Sequence, residues 1–198
     1  MDMRIVAALC VSLVGTVSTT PGGDGRTIHH GTLEQLHYAL STRDRVWVYK
    51  STNRNESREC EYMQVVAKNE TEYVLDWFYK VPTGLVQRRL NATVSWENGT
   101  AKSADGPKIT AYSKKGSATD YLLVVWDNDL NCGVFSYGPA GTEKTTADVC
   151  EMCIYDNRVK TGNISKCEEY FSTYCNHFPN HENPNIVYRP ECQFEEGC

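Results

Sequence analysis

The sequence predicts an all-β fold with short helices, in which eight antiparallel strands close into a barrel. Three observations predict it. Short apolar segments with a period of two recur along most of the chain, and Gly, Asn, Asp and Pro residues separate them. One helical pattern precedes these segments and another follows them. The last fifty residues hold six of the nine cysteines, which predicts a tail that disulfides tie to the rest of the domain.

The first 18 residues have the three parts of a secretory signal peptide. Arg4 supplies a positive charge, an apolar stretch of about ten residues follows, and the small residues Thr16 and Ser18 suit a cleavage site. A bilayer span needs about 20 apolar residues, so we favour a cleaved signal over the alternative of a signal anchor. The protein is therefore expected to be secreted and extracellular.

A short helix is predicted directly after the export signal and a loose segment. Residues 19–31 are rich in Gly, Pro and Thr, which predicts a flexible segment. Thr32 suits a helix N-cap, and Gln35 completes a capping-box pattern, so the helix should run to about Ser41. Residues 32–198 show no repeat and no linker, and we expect them to form one domain with a cysteine-rich C-terminal tail.

Eight strand-like segments follow this helix, each bounded by turn residues. They cover residues 46–49, 60–67, 72–80, 86–96, 108–114, 120–126, 131–137 and 149–155. Their regular spacing, with short turns such as Lys115-Gly116, is typical of antiparallel sandwiches and barrels. A second helix is predicted from Ser165 to about His177, where apolar and cysteine residues recur at helical spacing. An eight-stranded barrel of this size has room inside for one small ligand, which is a lipocalin-like architecture.

Composition and motifs exclude several classes of function. The formal net charge is −5 and the basic residues are scattered, so we expect no nucleic-acid partner. We also expect no membrane span and no lipid anchor. The G-x-S-x-G, P-loop and H-E-x-x-H motifs do not occur, so the protein is not expected to be an enzyme or to need a cofactor.

Five N-x-S/T sequons predict glycosylation on surface loops or strand edges. They are Asn55, Asn69, Asn91, Asn98 and Asn163. Together with the signal peptide, they favour a secreted glycoprotein.

Several short motifs, taken in chain order, carry a resemblance to a known family. They are Trp47 and Tyr49 in the first strand; Glu59-Cys60-Glu61-Tyr62; Tyr121-Leu122-Leu123-Val124-Val125-Trp126-Asp127; Asn131-Cys132-Gly133-Val134; Cys150-Glu151-Met152-Cys153; Cys167; and Tyr188-Arg189-Pro190-Glu191-Cys192. In this order they resemble the salivary lipocalins of ticks, the histamine-binding family, which includes a japanin-like branch. The likeness covers nearly all of the chain after the signal. It implies an eight-stranded lipocalin barrel with an N-terminal and a C-terminal helix.

The resemblance also implies part of the disulfide pattern. By position, Cys60 would pair with Cys192, and Cys132 with Cys167. Four further cysteines would then form two additional bridges, and their pairing stays open: Cys150, Cys153, Cys175 and Cys198.

A zinc site is the alternative interpretation of the C-terminal cysteines. Cys150 and Cys153 have ligand spacing, and His177 and His181 follow nearby. Export to an oxidising compartment favours disulfides, and Pro179 breaks any helix that would align the two histidines. A redox C-x-x-C is a further alternative, but the strand–helix context of such a motif is missing. We therefore expect no metal.

Family members that bind biogenic amines carry a Cys-Asp-[Val/Ile/Leu] segment followed by Glu-Leu-[Trp/Tyr]. A buried amine needs a carboxylate partner because an unpaired buried charge is very costly, and aromatic faces add cation–π attraction. Here Gly133 stands where the aspartate belongs and Cys153 where the aromatic belongs, while Glu151 is retained. Three other carboxylates are candidates to point inward: Glu72, Asp76 and Asp120.

The predicted barrel wall is otherwise apolar and aromatic. The candidate pocket residues are Trp47, Tyr49, Tyr62, Tyr73, Leu75, Trp77, Tyr79, Trp96, Tyr112, Tyr121, Leu123, Val125, Phe135, Tyr137 and Glu151. Because a strand alternates its faces, about half of them must point outward, and the sequence does not fix which half. An aromatic interior with few charges favours a lipid or sterol over a dication.

The leading hypothesis is a secreted carrier that sequesters a small host-derived mediator and so modulates host immune or inflammatory defence. An apolar or amphipathic lipid or sterol is favoured as the ligand. The resemblance implies such a role, since family members carry leukotrienes, thromboxane, fatty acids or cholesterol. The first alternative is binding of histamine or serotonin, with Glu151 as one partner. The second is loop-mediated binding of a host protein, such as a complement component or an immune-cell receptor.

Overall fold

Eight long antiparallel strands form a closed barrel in the computed structural model, which confirms the predicted fold class. The structure describes residues 31–54, 57–97, 106–139 and 149–194. Strands two to eight pair in chain order, and the first strand pairs with both the eighth and the second. The ring of hydrogen bonds is thereby closed, which removes the exposed sheet edges that an open sheet would present.

The strands are β1 (Val46–Ser51), β2 (Glu59–Lys68), β3 (Glu72–Val81), β4 (Gly84–Glu97), β5 (Gly106–Tyr112), β6 (Ala118–Asp127), β7 (Cys132–Pro139) and β8 (Val149–Tyr155), with a two-residue β9 (Asn185–Ile186) beside β1. The helices are α1 (Leu33–Ala39), α2 (Asp156–Val159) and α3 (Ser165–Tyr174), and a 3₁₀ turn spans Pro190–Phe194. The predicted strand bounds agree with these to within two residues. The sequence did not predict α2 or β9.

Some sequence-based predictions fall on parts of the chain outside the described residues. These are the signal peptide over residues 1–18, nearly all of the flexible segment 19–31, the sequons at Asn55 and Asn98, and Cys198. The other three sequon residues are exposed: Asn69, Asn91 and Asn163.

Helix α1 begins with the capping box that its sequence predicts. Thr32 Oγ1 accepts a hydrogen bond from the Gln35 backbone N–H at 3.1 Å, and the Thr32 N–H donates to Gln35 Oε1 at 2.9 Å. The Gln35 side-chain amide also donates to the Trp126 carbonyl at 2.7 Å. Leu36 and Ala39 are buried in the same cluster as the barrel interior. The helix therefore covers one end of that interior.

Strand alternation divides the apolar residues between two cores. The interior core contains Val48, Leu75 and Leu123 together with the buried side chains of α1. The outer core lies between the barrel wall and the C-terminal segment, where Ile154 of β8 and Phe171 of α3 are buried together. Burying a side chain of this size contributes roughly 1.5–3 kcal/mol, so the C-terminal segment stabilises the barrel from outside.

Among the described residues, three disulfides fasten the barrel to this C-terminal segment. They are Cys60–Cys192, Cys132–Cys167 and Cys150–Cys175. The first two are the pairs that the family resemblance implies, and the third joins two of the four cysteines whose pairing the sequence left open.

Cys153 differs from the expectation of a disulfide. It is a buried free thiol, the one such cysteine in the described ranges. The cause is strand alternation: Cys150 faces α3, whereas Cys153 is three residues later and faces the interior. The two sulfurs of the C-x-x-C therefore lie on opposite faces of β8. Within the described part of the chain, no cluster of three or more His, Cys, Asp or Glu side chains is arranged to hold a metal ion.

None of the helices that the structure describes is long and apolar enough to cross a membrane.

The disulfides should differ in how much they stabilise the fold. In the chain-entropy model the stabilisation grows with the closed loop, and the sequence separation is 132 for Cys60–Cys192 and 25 for Cys150–Cys175. The C60A/C192A variant should therefore lose about 1.5 kcal/mol more free energy of unfolding than C150A/C175A. Guanidinium unfolding of both double variants tests this. Equal losses would contradict the loop-length explanation.

Candidate functional site

A small cavity lies inside the barrel, with walls from seven strands. Its lining residues are Val48, Glu61, Met63, Trp77, Ile109, Tyr121, Phe135, Glu151 and Cys153. Its volume is about 20 Å³, which is room for roughly one water molecule. Ligand pockets commonly span about 300–1,000 Å³. A bound ligand must therefore displace some of the lining side chains.

Two buried carboxylates face this cavity, from the two strands that pair with β1. Glu61 of β2 is 7 % exposed, and its Oε1 accepts a hydrogen bond from Trp77 Nε1 at 2.8 Å. Glu151 of β8 is 5 % exposed and accepts a hydrogen bond from Ser51 Oγ at 3.0 Å. Burying a carboxylate costs free energy of folding unless hydrogen bonds or cations compensate it. An acidic residue at either position therefore needs such partners.

The electrostatic effect of both carboxylates reaches the same neighbours. Burial raises the pKa of Tyr121 and Tyr137, and the charges of Glu151 and Glu61 raise both further. The pKa of the Cys153 thiol is raised well above its usual value by burial, and again the two carboxylates add to the shift. The phenols and the thiol therefore stay protonated at neutral pH. Glu61 and Glu151 act together on all three of these groups.

Aromatic rings complete the cavity wall and its mouth. The Trp77 and Tyr79 rings lie 5.1 Å apart, as do the Tyr121 and Tyr137 rings. Arg58, which directly precedes β2, places its guanidinium carbon 4.5 Å from the Trp77 ring centroid. A wall of π faces beside carboxylates is suited to attract a cation.

The candidate pocket residues divide according to the face of each strand. The inward ones are Tyr73, Leu75, Trp77, Tyr79, Tyr121, Leu123, Phe135, Tyr137 and Glu151. Of these, Trp77, Tyr121, Phe135 and Glu151 line the cavity. Tyr73, Leu75 and Leu123 lie in the interior core shared with α1, where the Tyr73 hydroxyl hydrogen-bonds His37 at 2.9 Å.

The other six candidates lie outside both the cavity and the interior core. Trp47, Tyr49, Tyr62 and Val125 pack in the outer core under the C-terminal segment. Trp47 and Tyr49, which belong to the motifs that carry the family resemblance, therefore pack in the outer core. The ring centroids of Tyr49 and Tyr188 lie 5.6 Å apart. Trp96 and Tyr112 are surface residues, with 48 % and 43 % of their area exposed.

Sequence reasoning missed five cavity residues. They are Val48, Glu61, Met63, Ile109 and Cys153. Glu61 matters most for chemistry, since it supplies a second carboxylate. The signal was present, because an acidic residue at 61 lies on the opposite face of β2 from Tyr62 and on the same face as Met63.

Gly133 occupies the position that the family resemblance assigns to an aspartate, and Trp126 covers it. A Cβ atom at residue 133 would lie 2.2 Å from the Val125 carbonyl oxygen and 2.7 Å from a ring carbon of Trp126. Trp126 itself packs against Tyr155 with 5.2 Å between ring centroids. A side chain at 133 is therefore excluded by the packing of the interior.

The three alternative carboxylates do not point into the cavity. Asp76 forms a bidentate pair with Arg89 on the outer face, with both contacts at 2.7 Å. Glu72 accepts a hydrogen bond from the exposed Asn69 side chain at 2.9 Å. Asp120 accepts from Thr110 Oγ1 at 2.6 Å, also on the outer side of its strand. Strand parity, set by Trp77 and its neighbours, directs all three away from the cavity.

A larger cleft of about 510 Å³ lies outside the cavity, along β2, β3 and β4. Its wall includes Asn69 and Asn91, both of which are sequon residues. The cleft is open to solvent and contains neither interior carboxylate. The enclosed cavity is the stronger candidate site because its charged groups converge out of water.

Solved lipocalin structures share this fold. Japanin from Rhipicephalus appendiculatus, in a crystal form bound to cholesterol, matches at 14% identity, covering 81% of this chain and 98% of its own with a TM-score of 0.51. The siderocalin Ex-FABP, described as functioning through dual ligand specificities, matches at 7% identity, covering 74% of this chain and 93% of its own with a TM-score of 0.51. No protein-family model matches the chain, and no curated protein matches it. The similarity establishes a lipocalin fold.

Substitution of Gly133 should destabilise the fold, because the backbone at residue 133 is tightly packed against Trp126. G133A should lower the free energy of unfolding by roughly 1–3 kcal/mol, because the new methyl group has no space in the interior. Thermal or chemical unfolding of the purified variant measures this loss. A variant as stable as the wild type would show that Trp126 and β6 can move aside.

Asp76 should make the fold acid-sensitive. Its hydrogen bonds with Arg89 are the main cause of a pKa lowered from the ordinary 3.8. A lowered pKa in the folded state gives stabilisation that is present above pH 3.8 and is lost as the pH falls through the folded value. D76N should therefore be less stable than the wild type at pH 7, with a difference that shrinks toward pH 2. Urea unfolding at several pH values tests this; a difference independent of pH would contradict it.

Proposed function

We propose that the chain is a secreted ligand-sequestering lipocalin whose barrel binds one small organic cation of the biogenic amine class. The observation that carries the proposal is the pair of buried carboxylates, Glu61 and Glu151, on one aromatic-lined cavity. Charge neutralisation by a carboxylate compensates an ammonium group for its lost hydration, and ring faces add cation–π attraction.

Glu61 replaces the carboxylate that the sequence lacks at residue 133. The sequence favours an apolar ligand because the predicted interior is aromatic with few charges, and because Gly133 and Cys153 replace the expected aspartate and aromatic residue. In this barrel the second carboxylate comes from β2 instead of β7, and Trp77 lies beside it on β3. The amine site is therefore assembled from other strands of the same wall.

The size of the cavity supports a small ligand. An opening of about 20 Å³ has to grow for any ligand, and a compact amine requires a smaller displacement of side chains than a sterol does. Met63 is the most adaptable of the lining residues because its unbranched side chain has three rotatable bonds.

A lipid or sterol is the second candidate ligand. The apolar and aromatic side chains that dominate the interior core favour it, and the similar structure of japanin was solved bound to cholesterol. For either ligand the mechanism is sequestration, so affinity and secreted dose determine the effect on host immune or inflammatory defence. The predicted signal peptide, the sequons and the three disulfides support an extracellular site of action.

The ligand class can be tested by calorimetry on the secreted protein. Histamine and serotonin titrations should give saturable binding in the micromolar range or tighter. E61Q and E151Q should each weaken that binding at least tenfold, which is about 1.4 kcal/mol, because each removes one counter-charge. The exposed Glu182 offers a matched control, and E182Q should leave the affinity unchanged.

A parallel measurement separates the two candidate ligands. Native mass spectrometry followed by organic extraction detects a lipid or sterol that co-purifies with the protein. A bound lipid together with no heat from either amine would overturn the amine proposal in favour of the second candidate. An empty barrel that binds neither class would direct attention to a protein partner.

A further inference from the structure

Arg58 is a cation that the chain itself places at the site. Its Nη1 lies 3.8 Å from Glu61 Oε1, and its guanidinium carbon lies 4.5 Å from the Trp77 ring centroid and 4.8 Å from that of Tyr79. Only 20 % of the Arg58 side chain is exposed. The guanidinium therefore lies between a buried carboxylate and two aromatic faces.

These contacts are the ones that an external cation would need. Trp77 donates its indole N–H to the same Glu61 oxygen that Arg58 approaches, which holds the ring and the carboxylate together as one unit. A planar guanidinium stacks on aromatic faces and pairs with carboxylates, so it satisfies both parts of this unit. An ammonium ligand on Glu61 would require the same space and the same negative charge.

The charge of Arg58 also affects the pKa of a residue deeper in the barrel. Tyr121 lines the cavity, and its pKa is raised mainly by burial and by the two carboxylates, while Arg58 acts in the opposite direction. Arg58 thus offsets the interior negative charge that would otherwise attract a ligand.

We propose that Arg58 is a built-in competitor, which occupies the cation position beside Glu61, Trp77 and Tyr79 and must leave it before a small organic cation binds there. This inference rests on the proposed function, since it concerns the same site. Arg58 can leave because it directly precedes β2 near the barrel mouth, where its guanidinium regains hydration when it turns outward. Ligand binding and Arg58 docking are then mutually exclusive states.

Competition of this kind lowers the apparent affinity by a calculable factor. The apparent Kd equals the intrinsic Kd divided by the fraction of molecules in which the site is open. If Arg58 occupies the site in about 90–99 % of molecules, its removal should tighten binding by about 10–100-fold. The same removal leaves Glu61 without that ion pair in the ligand-free protein, which should lower the unliganded Tm.

The experiment compares R58A, R58K and R88A with the wild type, with histamine as the probe. Arg88 is the matched control, because it is also a cation near these rings but lies farther away, at 6.0 Å from Trp77 and 5.5 Å from Tyr79. R58A should bind histamine at least tenfold more tightly than the wild type, and R58K should fall between them. R88A should change the affinity by about threefold or less. The histamine-induced rise in Tm should be larger for R58A than for the wild type.

The outcomes separate this inference from the proposed function. Histamine binding by R58A alone, or much tighter binding by R58A than by R88A, supports the competitor. Equal gains in R58A and R88A would mean that net charge at the mouth is responsible, and would overturn it. Unchanged or weaker binding in a folded R58A would overturn it as well, with the amine proposal left standing. Absence of histamine binding in every variant, including folded R58A, overturns the proposed function and the competitor with it.

Discussion

The two-residue alternation of β8 is the constraint on which the rest of the structure depends. This strand is buried on both faces, so alternate residues pack in two different environments. Cys150, Met152 and Ile154 face outward, where a disulfide and the outer core hold α3 against the barrel. Glu151 and Cys153 face inward, where they form part of the cavity wall. A shift of one residue in this strand would exchange the two sets, moving a carboxylate into the outer core and a structural disulfide into the cavity wall. The C-terminal cover and the polar interior are therefore fixed by one register.

The interior combines an apolar core with a localised polar site, and the two have different energetic roles. The residues near α1 fill space and stabilise the barrel through burial, as Leu36 and Leu75 do. Glu61 and Glu151 must be compensated for their lost hydration, in part by hydrogen bonds from Trp77 and Ser51. Buried charges retained at such a cost are a common mark of functional sites. This contrast is the physical reason to interpret the carboxylate side of the barrel as the binding site and the α1 side as packing.

The sequence determined the architecture more completely than the site. Turn residues and period-two patterns located all eight strands to within two residues, because local chemistry sets where strands end. The capping box of Thr32 and Gln35 was likewise local and is present. Strand parity was not accessible, because it depends on cross-strand register, and β1 shifts its register between Val48 and Lys50. For this reason Trp47 and Tyr49 appeared equivalent to true cavity residues. Glu61 was missed although it was quoted within a family-like motif: alternation separates it from Tyr62, but the hydrogen bond from Trp77 is what shows that its face is the inward one.

The packing of Trp126 over Gly133 also constrains how a barrel of this kind can change over evolutionary time. An aspartate at residue 133 is a change of two nucleotides or fewer in the genetic code, yet here it would meet a backbone carbonyl and an indole ring that already fill its place. A carboxylate at residue 133 would require both Trp126 and the backbone of β6 to move aside. A carboxylate on β2 avoids this barrier, because Glu61 reaches the cavity from a strand that does not contact Trp126 through its pairing. The packing around residue 133 thus restricts where on the barrel wall an inward carboxylate can stand.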